Sequence, residues 1–168
     1  MGTSAGGNIA LHAGLRVASW SADEIGPVKI RGMILHHTYL GGEERTESEL
    51  RLVNDSVLPL AVADFMWQLA LPIGADRDHM FCNPIPERNP GLTESLDRIK
   101  RLGWRILVTG GDNDPTFDRQ VALVNLIRGK GIPTISHFSA GGSHGFDLMD
   151  PAKTRIFVDI VKKFISGD

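Results

Sequence analysis

The sequence predicts an α/β protein with a mostly parallel sheet flanked by helices. Three observations carry this. Short apolar segments alternate with longer amphipathic ones, the order that places helices on both faces of a parallel sheet. Glycines cluster at the edges of apolar segments, at Gly2 to Gly7, Gly41-Gly42, Gly110-Gly111 and Gly141-Gly142, where strands need turns. The stretch 40–95 breaks the rhythm and reads as helices and loop inserted above the sheet edge, so residues 1–168 make one domain.

The elements follow in order. Residues 5–19 alternate like a strand, but the glycines ahead of them favour a turn into a helix. Residues 28–36 form a strand, and 46–54 and 59–71 form helices. In the second of these Leu60, Ala63, Trp67 and Leu71 share a face, and Pro59 suits the first turn. Residues 72–93 read as loop and 94–102 as a short helix. Residues 104–109 form a buried strand ending at Gly110-Gly111. A helix over 115–129 opens at Pro115 and buries Phe117, Val121, Val124 and Ile127; a strand follows at 133–138. Asp150 caps a last helix over 151–166, where Pro151 opens it and Ile156, Phe157, Ile160, Val161, Phe164 and Ile165 make an apolar stripe.

Composition narrows the function classes. The 168 residues carry 18 basic and 20 acidic side chains, a net charge of -2, so neither a nucleic-acid footprint nor a polybasic membrane patch is present. No apolar run of transmembrane length occurs, and Met1 to Ser4 lacks the basic-then-apolar pattern of a secretory signal. The single cysteine, Cys82, excludes an internal disulfide and a cysteine-based zinc site; a reducing, cytoplasmic compartment is the simplest fit.

Three segments carry chemistry. Gly2-Thr3-Ser4-Ala5-Gly6 is a G-x-S-x-G sequence, in which small neighbours let the chain turn sharply from strand to helix and hold the Ser4 hydroxyl clear of the sheet. The Ala5 amide then points toward a developing oxyanion. Alone, such a segment is equally a flexible start of chain. Asp114 follows a strand, where doubly wound sheets place functional groups, although it could merely cap the next helix. His144 stands between small residues in a loop after another strand, with no core to fill; a solvated loop histidine is the plain alternative. Together they give Ser4, Asp114, His144, the chain order of a hydrolase triad. Asp112 could replace Asp114 as the acid if the strand ends earlier, whereas Asp118 reads as a surface or capping group. His36-His37 could reach a ligand, but adjacent strand residues face opposite ways, which makes a poor metal site. His12, His79 and His137 read as structural and Cys82 as a small buried side chain.

Gly2-Thr3-Ser4-Ala5-Gly6-Gly7-Asn8 resembles the G-D-S-x-G-G-N elbow of the hormone-sensitive-lipase-like branch of the α/β-hydrolases. Asp114-Pro115 with Asp118-Arg119 is similar to that branch's D-P-L-x-D segment, and His144-Gly145-Phe146 to its H-G-F segment. The stretch from Asp64-Phe65-Met66-Trp67 through Asn83-Pro84 resembles the insertion of plant carboxylesterases. Thr3 stands where that branch has Asp and Thr116 where it has Leu, and neither is expected to touch a triad position. The H-G-G-G segment that supplies the other oxyanion donors in the family does not occur, and neither does the strand that delivers the serine. The expectation is therefore the carboxyl-terminal part of an α/β-hydrolase fold.

The resemblance implies a serine carboxylesterase that hydrolyses small-molecule esters through Ser4, His144 and Asp114 with no metal or organic cofactor. Leu40, Leu58, Phe65 and Trp67 are expected to wall the substrate pocket. A hormone receptor that has lost hydrolysis, or a lyase on the same fold, are the alternatives. Lacking oxyanion donors, each worth roughly two to three orders of magnitude in rate, the 168-residue chain is expected to aggregate and turn over esters poorly. A cooperative melt with fast ester turnover is the outcome that contradicts this.

Overall fold

A computed structural model describes residues 1–20, 26–86 and 89–167. Four parallel strands stand in the order β1 (Gly2–Thr3), β2 (Gly32–His36), β3 (Arg105–Gly111), β4 (Thr134–Ser139). Helix α1 (Ala5–Val17) joins β1 to β2. The β2–β3 connection holds α2 (Glu47–Arg51), α3 (Leu60–Ala70) and α4 (Pro90–Arg101). Helix α5 (Phe117–Gly129) joins β3 to β4, and α6 (Pro151–Ser166) closes the described chain.

The side-chain alternation of β2 and β3 sorts the core into two layers. Met33, Leu35, Ile106 and Val108 face one way and pack under α1, α4 and α5, whose Leu11, Leu96 and Ile127 are buried against them. Ile34 and Leu107 face the other way and meet Phe164 of α6, with Ile160 and Val161 beside it. Both faces are covered, which is why these two strands read as continuous apolar runs. A smaller cluster, Tyr39, Leu58, Trp67, Leu71 and Cys82, holds the inserted segment together, and the Tyr39 and Trp67 rings stack 4.8 Å apart.

Several boundaries differ from the sequence expectation. Strand β2 starts at Gly32 rather than 28, because its register with Arg105 begins there. Helix α2 is only Glu47–Arg51, fixed by a Thr46–Glu49 capping box. Helix α4 begins at Pro90 rather than 94: its Leu92 belongs to the main core, so the proline and glycine there start a helix instead of marking loop. Strand β3 runs on through Gly110 and Gly111, paired with Phe138 and Ser139. Helix α5 starts at Phe117, and Gln120 and Leu123 take the buried places expected of Phe117 and Val121. On α6, Ile156 and Ile165 of the expected stripe are exposed; Asp150 caps the helix as expected, accepting from Ala152 at 2.9 Å. Gly2 and Thr3, which precede Ser4, do form a short strand, opposite Leu35 and His36.

One close approach joins the two loops that carry the site. A Cβ at Gly111 would lie 1.9 Å from the Gly142 carbonyl oxygen. The amide of Asn113 bonds that same carbonyl at 3.0 Å, and Asp112 accepts from the Gly141 amide at 2.6 Å. Only glycine at 111 lets the end of β3 touch the loop after β4. The variant Gly111→Ala is expected to lose stability on the order of 2 kcal/mol, read as a lower urea midpoint at unchanged slope.

Candidate active site

Ser4 sits between β1 and α1 at φ 54° and ψ −120°, a strained conformation for a non-glycine residue. Its backbone is held at both ends. The Ser4 amide donates to the His36 carbonyl at 2.9 Å, and the Ser4 carbonyl accepts from Asn8 and Tyr39 at 3.1 Å each. The turn is so tight that a Cβ at Gly2 would meet the Gly6 carbonyl oxygen at 1.9 Å. Asn8 ties the next layer down, donating from its amide to the carbonyls of Tyr39 and Phe81. Ala5 opens α1, so its amide has no acceptor one turn back within the helix.

The Ser4 Oγ lies 2.8 Å from His144 Nε2, and His144 Nδ1 lies 2.8 Å from Asp114 Oδ2. Three side chains from the ends of β1, β3 and β4 therefore meet at one rim of the sheet, across 140 residues of sequence. Asp114 is fully buried and His144 nearly so. The other Asp114 oxygen, Oδ1, accepts from the Thr116 amide and the Thr116 hydroxyl at 2.8 Å each. The carboxylate thus turns one oxygen to Thr116, just before α5, and the other to the histidines; Thr116 and not Asp114 holds the N-cap position, so the capping alternative for Asp114 is not what the fold shows. Burial would raise this carboxyl, but hydrogen bonds from His144 and His37 outweigh it and hold it well below the usual carboxylate range. As a charged carboxylate it only accepts, so His144 Nδ1 carries the proton and Nε2 is free to accept from Ser4.

Two expectations are overturned here. The sequence sets Thr116 apart from the triad positions, yet it touches Asp114 with two donors. Strand alternation expects His36 and His37 to face opposite ways. Strand β2 ends at His36, however, and His37 takes φ 45°, which swings its ring toward the same Asp147 that His36 meets. His37 Nδ1 is 2.9 Å from Asp114 Oδ2. His36 donates Nε2–H to Asp147 at 3.0 Å, accepts from the Thr109 hydroxyl at 2.7 Å and stacks on Phe157. Burial, then the neighbouring His37, lowers the His36 pKa to about 4. Asp147 is a site residue that sequence reasoning missed; the signal was an acid three places after His144.

The remaining residues take lesser places. Asp112 bonds the Gly141 amide, not a histidine, and Asp118 accepts from the Ser48 amide at 2.7 Å, tying down α2. His12 meets Phe81 edge-on, His79 accepts from the Phe81 amide, and His137 lies near Ser139. The Cys82 thiol is buried and pushed up to about 12 by desolvation. Leu40, Leu58 and Trp67 are buried around a void of about 10 Å³, while Phe65 is exposed on α3. None of the cavities these four line includes Ser4, Asp114 or His144. Among the described residues, two trios bring ligand-type atoms within 4.8 Å: His36, His37, Asp147 and His37, Asp114, His144. Most of those atoms already pair with one another at hydrogen-bond distance. An ion about 2.0–2.1 Å from a histidine nitrogen would crowd the carboxylate oxygen that now accepts from it.

A parallel sheet with a serine on a strained strand-to-helix turn, an acid after β3 and a histidine after β4 has the architecture of the α/β-hydrolase class. Residues 1–148 match the family described as alpha/beta hydrolase fold, and the chain belongs to that family. It is 45% identical over 98% of its length to Carboxylesterase 20 of Arabidopsis thaliana. The chain spans about half the length of that curated relative, 49%. It is 42% identical over 77% of its length to a gibberellin receptor of Oryza sativa subsp. japonica, covering 33% of it. Among solved structures, carboxyl esterase 2 from Tuber melanosporum superposes with a TM-score of 0.74 over 95% of this chain and 50% of that one, at 16% identity, a likeness of fold. No helix among the described residues is long and apolar enough to cross a membrane.

The His36 shift sets a pH dependence. The unfolded chain takes up this proton near its ordinary 6.5, the folded chain only near 4. Between those values the unfolded state binds more protons, so stability falls as pH drops. From pH 7 to about 5 the His36 contribution lost is roughly 2 kcal/mol. His36→Gln should lose less over that interval, measured by urea unfolding at the two pH values. The Asp114 contribution, from a depressed carboxyl, is present above the ordinary carboxylate pKa and is lost only at lower pH.

Proposed function

We propose that this chain carries the catalytic triad of a serine carboxylesterase acting on small-molecule carboxylic esters. Ser4 Oγ attacks the ester carbonyl as His144 Nε2 takes its proton. Asp114 holds His144 in the tautomer with Nδ1 protonated and offsets the imidazolium charge. The Ala5 amide donates to the oxyanion of the tetrahedral intermediate. Collapse expels the alcohol, which His144 protonates, leaving an acyl group on Ser4. Water, deprotonated by His144, then attacks that acyl group, and the acid leaves as Ser4 regains its proton.

The observation that supports this reading most directly is the unbroken line Ser4 Oγ, His144, Asp114 at 2.8 Å and 2.8 Å. Similarity to plant carboxylesterases supports the ester as the substrate class. Leu40, Leu58 and Trp67 act as supports of the frame in this reading, and Phe65 is the one exposed enough to meet a ligand. A single, buried cysteine supports a cytoplasmic setting.

The similarity to a gibberellin receptor motivates a second reading, a small-molecule binding protein. A fluorophosphonate separates the two, because labelling needs a nucleophile and its base rather than a complete substrate pocket. The expected result is covalent labelling of the wild-type chain, absent in Ser4→Ala and slowed by about a thousandfold or more in His144→Ala. Tight binding of a small carboxylic acid with no labelling decides for the receptor.

A further inference from the structure

Asp114 Oδ2 serves two imidazoles at once. His144 Nδ1 approaches it at 2.8 Å and His37 Nδ1 at 2.9 Å. His37 is fully buried and keeps a left-handed backbone, a strained conformation for a non-glycine residue. Its amide donates to the Thr109 carbonyl at 2.7 Å, which pins the end of β2 to β3. Behind it, His37 Nε2 faces Asp147 Oδ1 at 3.3 Å, while Asp147 Oδ2 receives His36. Asp147 is held in turn by the Thr154 hydroxyl of α6, which bonds its carbonyl. Polar groups thus follow one another from the Ser4 hydroxyl across the strand ends toward α6, hydrogen-bonded as far as His37 and in looser 3.3 Å contact from there to Asp147.

We propose that His37 is a positioning residue for the hydrolytic reaction, acting through Asp114. This rests on the triad reading above. With Thr116 filling Oδ1 and His37 and His144 sharing Oδ2, the carboxylate has no freedom to rotate away from His144. The His37 donor also draws on the charge that Oδ2 would otherwise offer to His144 alone. Removing that donor would leave Oδ2 to His144 alone and strengthen its hold on an imidazolium, which is why the acid limb of the reaction is the readout.

The groups facing His37 are His36 beside it at the end of β2, Asp114 and Thr116 after β3, and Gln120 of α5 near Asp114. His144, Phe146 and Asp147 face it from the segment after β4, and Lys153 of α6 lies over the Phe146 ring. Asp114 and Asp147 are the carboxylates among them. The Asp114 contact is the one that meets hydrogen-bond geometry: His37 Nε2 and Asp147 Oδ1 remain without such a bond.

Two amide variants separate the two ends of the ring. In His37→Asn the side-chain amide nitrogen would stand near the place of Nδ1 and keep a donor to Asp114. In His37→Gln the longer side chain carries its amide to the place of Nε2 and leaves Asp114 one donor short. The readout is the rate of Ser4 labelling by a fluorophosphonate from about pH 5 to 9 on the full chain, with urea unfolding as the control for fold. For His37→Gln the maximal rate should fall by roughly tenfold, and the acid limb should move up by roughly half a unit to one unit. His37→Asn should stay within about threefold of wild type with its acid limb unmoved. A merely structural His37 would change unfolding and leave the acid limb in place. The proposal is overturned if the glutamine variant keeps the wild-type profile, or if the asparagine variant shifts as far as the glutamine one. Labelling of the wild type together with either result overturns this proposal alone, whereas a wild type unlabelled at every pH overturns the triad reading and this proposal with it.

Discussion

A buried carboxylate is the constraint around which this molecule is arranged. Asp114 is wholly out of water, where an unpaired charge is far too costly to hold. Donors from three directions resolve that cost: Thr116 from the start of α5, His37 from the end of β2, and His144 from the loop after β4. Each donor belongs to a different strand-end segment. Satisfying one charge therefore fixes the relative positions of three loops, and the Ser4–His144 contact follows from the last of them.

The sheet makes that convergence possible. All four strands run the same way, so their carboxyl ends lie at one rim, and the segments that follow them leave in the same direction. Close approach does the rest. Gly2 lets the elbow fold onto Gly6, and Gly111 lets the β3 end meet Gly142. The inserted helices brace this rim from outside: Arg119 of α5 pairs with Glu49 of α2 at 2.6 Å, and Arg51 reaches the backbone of Asp112 and the side chain of Asn113. The short α2 is thus a clamp on the acid loop as well as part of the insertion.

On the other face, α6 does two jobs. Phe164 seals the sheet over Ile34 and Leu107, while Phe157 and Thr154 support His36 and Asp147. The hydrophobic layer and the polar line behind Asp114 share one helix, so packing on that face and hydrogen bonding at the rim are coupled. A neutral His36 suits this place: burial and the nearby His37 favour the uncharged ring, and its two nitrogens are both used without a second charge.

Much of this was legible in the linear order of residues. Alternating apolar segments set the strands and helices, because hydrophobic period follows backbone geometry. The segments around Ser4, Asp114 and His144 stood out because sharp turns need small residues at particular places. Boundaries were less legible: α4 begins at a Pro-Gly pair that reads as loop, and only the core place of Leu92 decides otherwise. His144 was legible as a partner of Asp114, but its other two, His37 and Thr116, were not. His37 escapes the strand alternation because β2 stops at His36 and the backbone turns left-handed, and Thr116 reaches back to the acid only once α5 has started. Local pattern determined which residues were available to the rim. Which of them touch was decided by the three-dimensional closure of the strand ends, since hydrogen bonds between residues 30 to 140 places apart depend on distances that no local sequence window contains.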